Sequence, residues 1–269
     1  MKIAYTLNGL IGGFSGKSAS NANKDEDSIL ILKYVSDLIQ RYIVPYNDVD
    51  IFIFSWHTNF KDEFEKYLSP KRIKLIPQKD FSIPEHLSGG NTNRVIAHKS
   101  RWYGFKEVTN LVSEYESENN FEYDLVVNSR FDICWNKPYK FESLNNNKFH
   151  IPFHPDVSNY GWPDEGPEIL DHIFASSSEW MKGYSTMFDH LDVYTLPGQC
   201  PQWNTISHHF LMVWHLQQLN ILSEEFIDKS FRVLHEKNSD IIGGTKNDGI
   251  DYDIFRYRQL TREDLKENE

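Results

Sequence analysis

The sequence predicts an α/β protein, in which a mixed sheet flanked by helices forms a single domain. Residues 49–55 are a near-continuous apolar run, which is typical of a parallel strand covered on both faces. Runs of this kind alternate with segments of helical periodicity, and this alternation indicates right-handed βαβ units. The chain has 269 residues, enough to bury a sizeable core.

The first half alternates regularly between strands and helices. The predicted strands cover residues 2–7, 49–55, 71–76 and 123–133. The predicted helices cover residues 27–43, 60–68 and 94–118. Apolar residues at helical spacing mark the buried faces of the two longer helices: Ile31, Val35, Leu38, Ile39 and Tyr42, then Val95, Trp102, Val108, Leu111, Val112 and Tyr115.

The second half is less regular, and no linker separates it from the first. We expect strands at residues 148–153, 172–176 and 231–235, and helices at residues 178–190 and 205–220. A polar tail rich in Gly, Asp and Arg follows the last of these strands. We therefore predict one domain over residues 1–269.

Composition excludes several classes of protein. The net charge of −11 disfavours nucleic acid and anionic membrane surfaces as partners, because both attract clustered Lys and Arg. No apolar run approaches the roughly 18 residues of a transmembrane segment, and Asn8 interrupts the first apolar run too early for a signal peptide. Cys134 and Cys200 form no zinc-binding pattern. We expect a soluble cytoplasmic protein.

The glycine-rich loop at residues 12–18 does not satisfy the phosphate-binding P-loop pattern. That pattern requires a glycine five positions before Gly16, and Ile11 occupies this position. Acidic residues also intervene before the next helix. We predict a surface loop or a loop over a ligand.

Pairs of aspartates separated by one residue occur at Asp25/Asp27, Asp48/Asp50 and Asp251/Asp253. The first pair lies at a helix start, where the helix dipole favours anions. The second lies at the beginning of a strand, on the edge of the sheet opposite to a ligand site. The third lies in the polar tail and lacks the glutamate that completes a calcium loop. All three are predicted to be solvated surface.

Arg130-Phe131-Asp132 lies at the carboxyl end of the buried strand predicted at residues 123–133. Ligands of α/β proteins bind at the carboxyl ends of such strands. A carboxylate at this edge can hold a divalent cation, and a guanidinium can bind phosphate oxygens. A buried structural ion pair or a strand-end cap explains the same two residues equally well.

Three segments together resemble a group of GT-A-fold glycosyltransferase-like proteins of bacterial surface-polysaccharide clusters, large viruses and phages. The segments are VDIFIFSW at residues 49–56, YDLVVNSRFD at 123–132 and DHIFASSSEWM at 171–181. In that group an Arg-x-Asp segment stands where other GT-A enzymes have Asp-x-Asp. The resemblance covers about the first 190 residues and implies a Rossmann-type mixed sheet with a nucleotide-binding half at 1–135 and an acceptor-binding half at 136–269.

The resemblance implies a nucleotide-sugar donor at the Arg-x-Asp segment. Asp132 is then expected to hold Mn²⁺ or Mg²⁺ against the diphosphate, with Arg130 near the phosphates. Because Arg130 replaces a carboxylate, metal binding is expected to be weak or dispensable, with Arg130 supplying part of the positive charge.

Two further pairs of residues are assigned to the donor. Asn8 and Gly9 follow the first strand, and Arg94 and Arg101 lie on the long helix. A solvated helix face is the alternative explanation for the two arginines.

The remaining candidates serve catalysis, metal binding and the acceptor glycan. Asp171 and Asp164 are candidate bases for the acceptor hydroxyl, although a strand-edge cap and a turn explain them as well. His208 is a candidate metal ligand or a packing histidine. Trp162 and Trp203 either stack on sugars or pack within the protein.

The sequence thus predicts a metal-assisted glycosyltransferase that moves a sugar from a nucleotide donor to a glycan or other hydroxyl acceptor. A noncatalytic carbohydrate-binding or scaffold protein of the same fold is the alternative. A Rossmann-like phosphate-ester hydrolase is disfavoured, because its nucleophilic aspartate is expected just after the first strand, where Asn8 stands.

Overall fold

The fold is built on a seven-stranded mixed sheet with helices on both faces. The computed structural model describes residues 1–12, 25–153, 169–200, 208–223, 225–234 and 252–256, without the side chains of Asp25 and His208. The strands are β1 (Lys2–Gly9), β2 (Asp48–Ser55), β3 (Arg72–Leu75), β4 (Leu125–Arg130), β5 (Ile133–Trp135), β6 (Phe149–Phe153), β7 (Ile173–Ser176), β8 (Ile227–Arg232) and β9 (Ile254–Arg256).

The helices of the described segments lie between these strands. They are α1 (Asp25–Tyr42), α2 (Lys61–Leu68), α3 (Thr92–Asn119), α4 (Ser178–Ser185), α5 (Met187–Tyr194) and α6 (His208–Gln218), with short 3₁₀ turns at Val44–Tyr46, Glu85–Leu87 and Phe141–Ser143. No helix in the described parts of the chain combines the length and apolarity needed to cross a membrane.

The strand order of the main sheet is β3-β2-β1-β4-β7-β6-β8. β1 to β4 are parallel, β7 is antiparallel to both of its neighbours, and β8 is parallel to β6. The chain leaves β1 towards β2 and β3, then crosses through α3 to β4 on the other side of β1. The carboxyl ends of β1 and β4 therefore flank a topological switch point, where α/β sheets open a crevice for ligands.

Alternation along the strands separates two cores. In β1, Ile3, Tyr5 and Leu7 pack with α1 and α2, whereas Ala4 packs with α3. The same two-residue period places Phe174 of β7 on the α3 side. Consequently the polar residues of the parallel strands that share the phase of Ala4 also face α3.

The sequence predicts most elements of the first half within a few residues. One difference concerns residues 123–133, predicted as a single strand. The chain turns after Arg130, where Phe131 is buried against Phe64 of α2 with ring centroids 5.4 Å apart. The strand therefore divides into β4 and β5, and Asp132 lies in the turn between them.

Two predictions in the second half were wrong in detail. The single helix predicted at residues 178–190 is two helices that meet at Thr186, whose hydroxyl donates to the carbonyl of Gly183 at 2.7 Å. β8 begins at Ile227 rather than at Phe231. The start of β8 escaped prediction because it carries polar residues on an exposed edge strand, where burial imposes no apolar pattern.

The segment at residues 252–256 is ordered structure within the predicted polar tail. β9 pairs antiparallel with β5, with Ile133 opposite Arg256 and Trp135 opposite Ile254. Asp253, just before β9, contacts the end of β8, where its carboxylate accepts from the backbone amide of Arg232 at 2.8 Å. β9 is thus held between β5 and the end of β8.

Candidate functional site

The candidate site lies at the carboxyl ends of β1 and β4. β1 ends at Asn8 and Gly9, and Asn8 pairs in register with Arg130 of β4. Gly9 has φ of +107°, a conformation that residues with a side chain rarely adopt, and its carbonyl accepts from the Ser55 hydroxyl at 2.9 Å. The two strand ends therefore hold Asn8 and Arg130 side by side.

Arg130 joins two aspartates. Its Nε and Nη2 donate to the two carboxylate oxygens of Asp132 at 2.8 and 2.7 Å, a bidentate pair. Its Nη1 donates to Oδ2 of Asp171 at 2.7 Å. Each guanidinium nitrogen of Arg130 thus donates to a carboxylate.

Arg256 contributes a second guanidinium to Asp132. Its Nη2 donates to Oδ2 of Asp132 at 3.2 Å. The pairing of Ile133 with Arg256 brings the two residues together, because Ile133 is the next residue after Asp132. The C-terminal strand β9 is therefore part of the site.

Arg101 reaches the same place from α3. Its Nη1 donates to Oδ1 of Asn8 at 2.7 Å, and its Nη2 donates to Oδ1 of Asn128 at 3.1 Å and to the carbonyl of Asp171 at 3.3 Å. The Asn128 amide donates in turn to the Thr6 hydroxyl at 2.8 Å. Asn8, Thr6 and Asn128 form a buried polar row on the α3 side of the sheet.

Gly104 allows α3 to approach this row closely. A Cβ at this position would lie 3.1 Å from the Asn8 amide nitrogen and 3.2 Å from the ring of Phe54. Since Gly104 lies less than one turn after Arg101 on α3, the close approach also brings the Arg101 guanidinium to the strand ends.

The cluster carries more positive than negative charge. Among the described residues it contains three arginines and two aspartates, a net charge of +1 within a chain of net charge −11. The side chain of Asp132 is fully buried, and those of Arg101, Arg130 and Arg256 are 9%, 12% and 13% exposed. Asp171 is 8% exposed, so Asp132 is the most deeply buried charge of this group.

For both Arg101 and Arg130, burial lowers the pKa and the neighbouring aspartates raise it. Burial lowers the pKa of Arg101 to about 10 against the attraction of Asp171. Burial also acts to lower the pKa of Arg130, but Asp132 and Asp171 outweigh it, so this pKa lies above its ordinary value. Both side chains are cationic at neutral pH.

His172 lies beside the cluster at the start of β7. Its side chain is buried, and its Nδ1 has no hydrogen-bond partner among the described residues. Burial, followed by the charge of Arg256, lowers its pKa well below 6.5. His172 is therefore a neutral imidazole with unused hydrogen-bonding capacity.

The described residues do not fit a divalent cation at Asp132. Both oxygens of this carboxylate accept from guanidinium groups, and no group of three His, Cys, Asp or Glu suited to a metal ion occurs in the described segments. A hard cation such as Mg²⁺ needs free oxygen ligands. The donors around Asp132 instead suit an anion.

Six of the predicted site residues come together in this cluster: Asn8, Gly9, Arg101, Arg130, Asp132 and Asp171. Arg94 is exposed in the first turn of α3, about 10 Å along the helix axis from Arg101. Trp162, Asp164, Trp203 and the side chain of His208 lie outside the described residues.

Three members of the site were missed in the sequence. Arg256 lies in a stretch of Tyr, Ile and Phe within a polar tail, and these strand-forming residues were the available signal. Asn128 is a polar residue inside an apolar strand, which itself indicates a buried hydrogen-bond network. His172 carries no local signal.

The prediction that the other aspartate pairs are solvated was wrong for two residues. Asp50 accepts from the Tyr123 hydroxyl at 2.7 Å and pairs with Lys2 and Lys71. Asp253 is buried, because its carboxylate holds the backbone of β8. Both carboxylates tie strands together.

No family model matches the chain, and no curated protein sequence matches it either. The α/β fold with its mixed sheet, and the geometry of the site, are therefore what characterises the protein.

Proposed function

We propose that the protein is a glycosyltransferase of GT-A type that moves a sugar from a nucleotide-sugar donor to a glycan or other hydroxyl acceptor. One observation carries the proposal: three arginines converge on the switch point of the sheet and, among the described residues, outnumber the two aspartates of their cluster in an acidic protein. A nucleotide diphosphate is the anion that such a crevice suits best.

Charge neutralisation is the chemical task that these residues fit. Glycosyl transfer releases a nucleoside diphosphate, and positively charged groups held in place beforehand stabilise the negative charge that develops on it. Arg101 and Arg256 lie at the edges of the cluster, and Arg130 holds Asp132 and Asp171 between them. This arrangement needs no rearrangement of charge when the leaving group forms.

The acceptor side of the proposal follows the sequence prediction. Asp171 is the proposed base, and its carboxylate lies within the cluster, 2.7 Å from Arg130 Nη1. A base must lie within hydrogen-bond reach of the hydroxyl that it deprotonates. An acceptor bound over the amino end of β7, which lies beside the carboxyl end of the antiparallel β4, meets this condition for Asp171.

A thermal-shift panel of UDP-, GDP-, CMP- and dTDP-sugars, with and without Mn²⁺, tests donor binding. We expect one nucleotide class to raise Tm, because a ligand that binds only the folded state stabilises it by mass action. The same donor should release its nucleotide, a nucleoside diphosphate or, from a CMP-sugar, CMP, when a suitable acceptor glycan is present. Arg101→Met should weaken the shift strongly.

Lys106→Gln is the matched control, since Lys106 also lies on α3 but pairs with Asp189 on α5. It should respond to the donor as the parent does. A donor that binds without any turnover supports the noncatalytic alternative, and no response to any donor in either metal condition contradicts the transferase.

A further inference from the structure

We infer that guanidinium groups replace the divalent cation at this site, so that Arg101 and Arg256, in a cluster organised by Arg130, bind a diphosphate without metal. The identity of the ligand rests on the proposed function. The mode of binding does not, since it concerns any diphosphate that enters the crevice.

The first step concerns Asp132, the carboxylate expected to hold a metal. Its side chain is fully buried, and Arg130 occupies both of its oxygens in a bidentate pair. Arg256 donates to Oδ2 as well. A cation that replaced these contacts would leave two buried guanidinium groups next to a dication, which is electrostatically unfavourable.

The second step divides the work among the arginines. Arg130 uses its three nitrogens on Asp132 and Asp171, so it organises the site. Arg101 from α3 and Arg256 from β9 each place a second guanidinium group beside a carboxylate that Arg130 already holds. Since each keeps a small exposed fraction of its side chain, both can contact an anion that binds at the carboxyl ends of β1 and β4.

The third step concerns buried polar atoms beside the cluster. Arg101 Nε lies 3.8 Å from Oδ2 of Asp171, beyond hydrogen-bond distance, and has no hydrogen-bond acceptor among the described residues. His172 Nδ1 likewise has no partner within the described segments. Buried polar atoms are rarely left unsatisfied, and oxygens of a bound diphosphate would serve at least the Arg101 donor.

Isothermal titration of the full chain with inorganic pyrophosphate tests the inference. In EDTA we expect binding with a Kd within about threefold of that in Mg²⁺, because no metal bridges the anion to the protein. Arg256→Gln and Arg101→Gln should each weaken binding in EDTA about tenfold or more, the effect of losing one charge-assisted contact.

Lys137→Gln is the control, since Lys137 follows β5 closely and pairs with Asp253, which precedes β9. It should leave the Kd unchanged. If Arg256→Gln fails to fold, Arg256→Lys retains the charge but loses the planar fork, and it should still weaken binding measurably.

The outcomes separate the two proposals. Binding that is absent in EDTA and restored by Mg²⁺ or Mn²⁺ overturns metal-free binding and leaves the transferase standing. Binding in EDTA that Arg101→Gln and Arg256→Gln do not weaken, or no binding in either buffer, also overturns it. Metal-free binding that both variants weaken supports the inference, even if no sugar nucleotide is turned over.

Discussion

The parallel strands carry a charged cluster at each end, and the two clusters differ in design. We call the carboxyl ends of these strands the carboxyl edge of the sheet and their amino ends the amino edge. At the carboxyl edge, Arg130 and Arg256 hold Asp132 with side chains at most 13% exposed. At the amino edge, Lys2 and Lys71 hold Asp50 with side chains 41% and 48% exposed. Both clusters tie neighbouring segments together, but only one of them removes its cations from water.

This difference in exposure indicates which of the two clusters has a purely structural role. Exposed ion pairs contribute about 0–1 kcal/mol and cost little to form. Burying a guanidinium costs several kcal/mol, which a paired carboxylate repays incompletely. The amino edge is therefore an ordinary structural arrangement, whereas the carboxyl edge maintains buried charge that stability alone does not require.

The largest expected effect comes from removing the central cation of the carboxyl edge. Arg130→Met should lower the free energy of unfolding by about 3–5 kcal/mol, because it leaves the buried carboxylates of Asp132 and Asp171 without their main partner. Lys71→Met at the amino edge should lower it by less than about 1 kcal/mol. Urea unfolding measures both. Equal losses in the two variants would remove the distinction between the edges.

Titration of a buried histidine extends the comparison from ion pairs to protons. His215 is buried beside the Tyr194 hydroxyl, 2.8 Å from its Nδ1, and burial lowers its pKa to about 4. The unfolded chain binds a proton near pH 6.5, whereas the folded protein does not. Stability should therefore fall as pH decreases from about 6.5 to about 4, by about 3 kcal/mol from this residue.

The variant His215→Gln isolates that contribution. Between pH 6.5 and 4 its free energy of unfolding should change less with pH than that of the parent. Above pH 7 the two proteins should respond to pH alike, since neutral histidine is the form present in both states. Parallel curves across the acid range would show that His215 takes up its proton in the folded state.

The smallest expected effect compares two tyrosine hydroxyls. Tyr123→Phe removes the 2.7 Å hydrogen bond from the Tyr123 hydroxyl to Asp50. Because Asp50 still pairs with Lys2, the variant should lower the free energy of unfolding by about 1 kcal/mol or less. Tyr5→Phe removes the buried acceptor of the Trp135 indole at 2.9 Å and should cost about 1–3 kcal/mol. Thermal unfolding ranks the two variants. A greater loss for Tyr123→Phe would mean that the amino edge is more tightly coupled than its exposure indicates.

Local periodicity made the sheet and its helices predictable. The apolar run that became β2 and the helical spacing of Val95 and Trp102 on α3 are patterns of burial, and burial on one face repeats every two or every 3.6 residues. Polar residues at the ends of β1 and β4 were found for the same reason, because Asn8 and Arg130 interrupt these runs.

The composition of the cluster was not predictable from those patterns. Arg256 meets Asp132 across 124 residues of sequence, and the meeting depends on the register of β5 with β9. The division of residues 123–133 into two strands, which sets this register, depends on the burial of Phe131. The two-residue alternation of apolar residues along a strand predicts neither the register of β5 with β9 nor the division of residues 123–133.

The sequence alone determined the order of strands and helices from β1 to β4 and the strand end that carries Arg130 and Asp132. Only the tertiary structure decided that Asp132 is enclosed by guanidinium groups, because charge pairing across distant segments depends on where the chain folds back. The segment that resembles a metal-binding motif became an arginine-centred cluster for that reason. Burial, which fixes the elements locally, does not specify which ions meet where those elements converge.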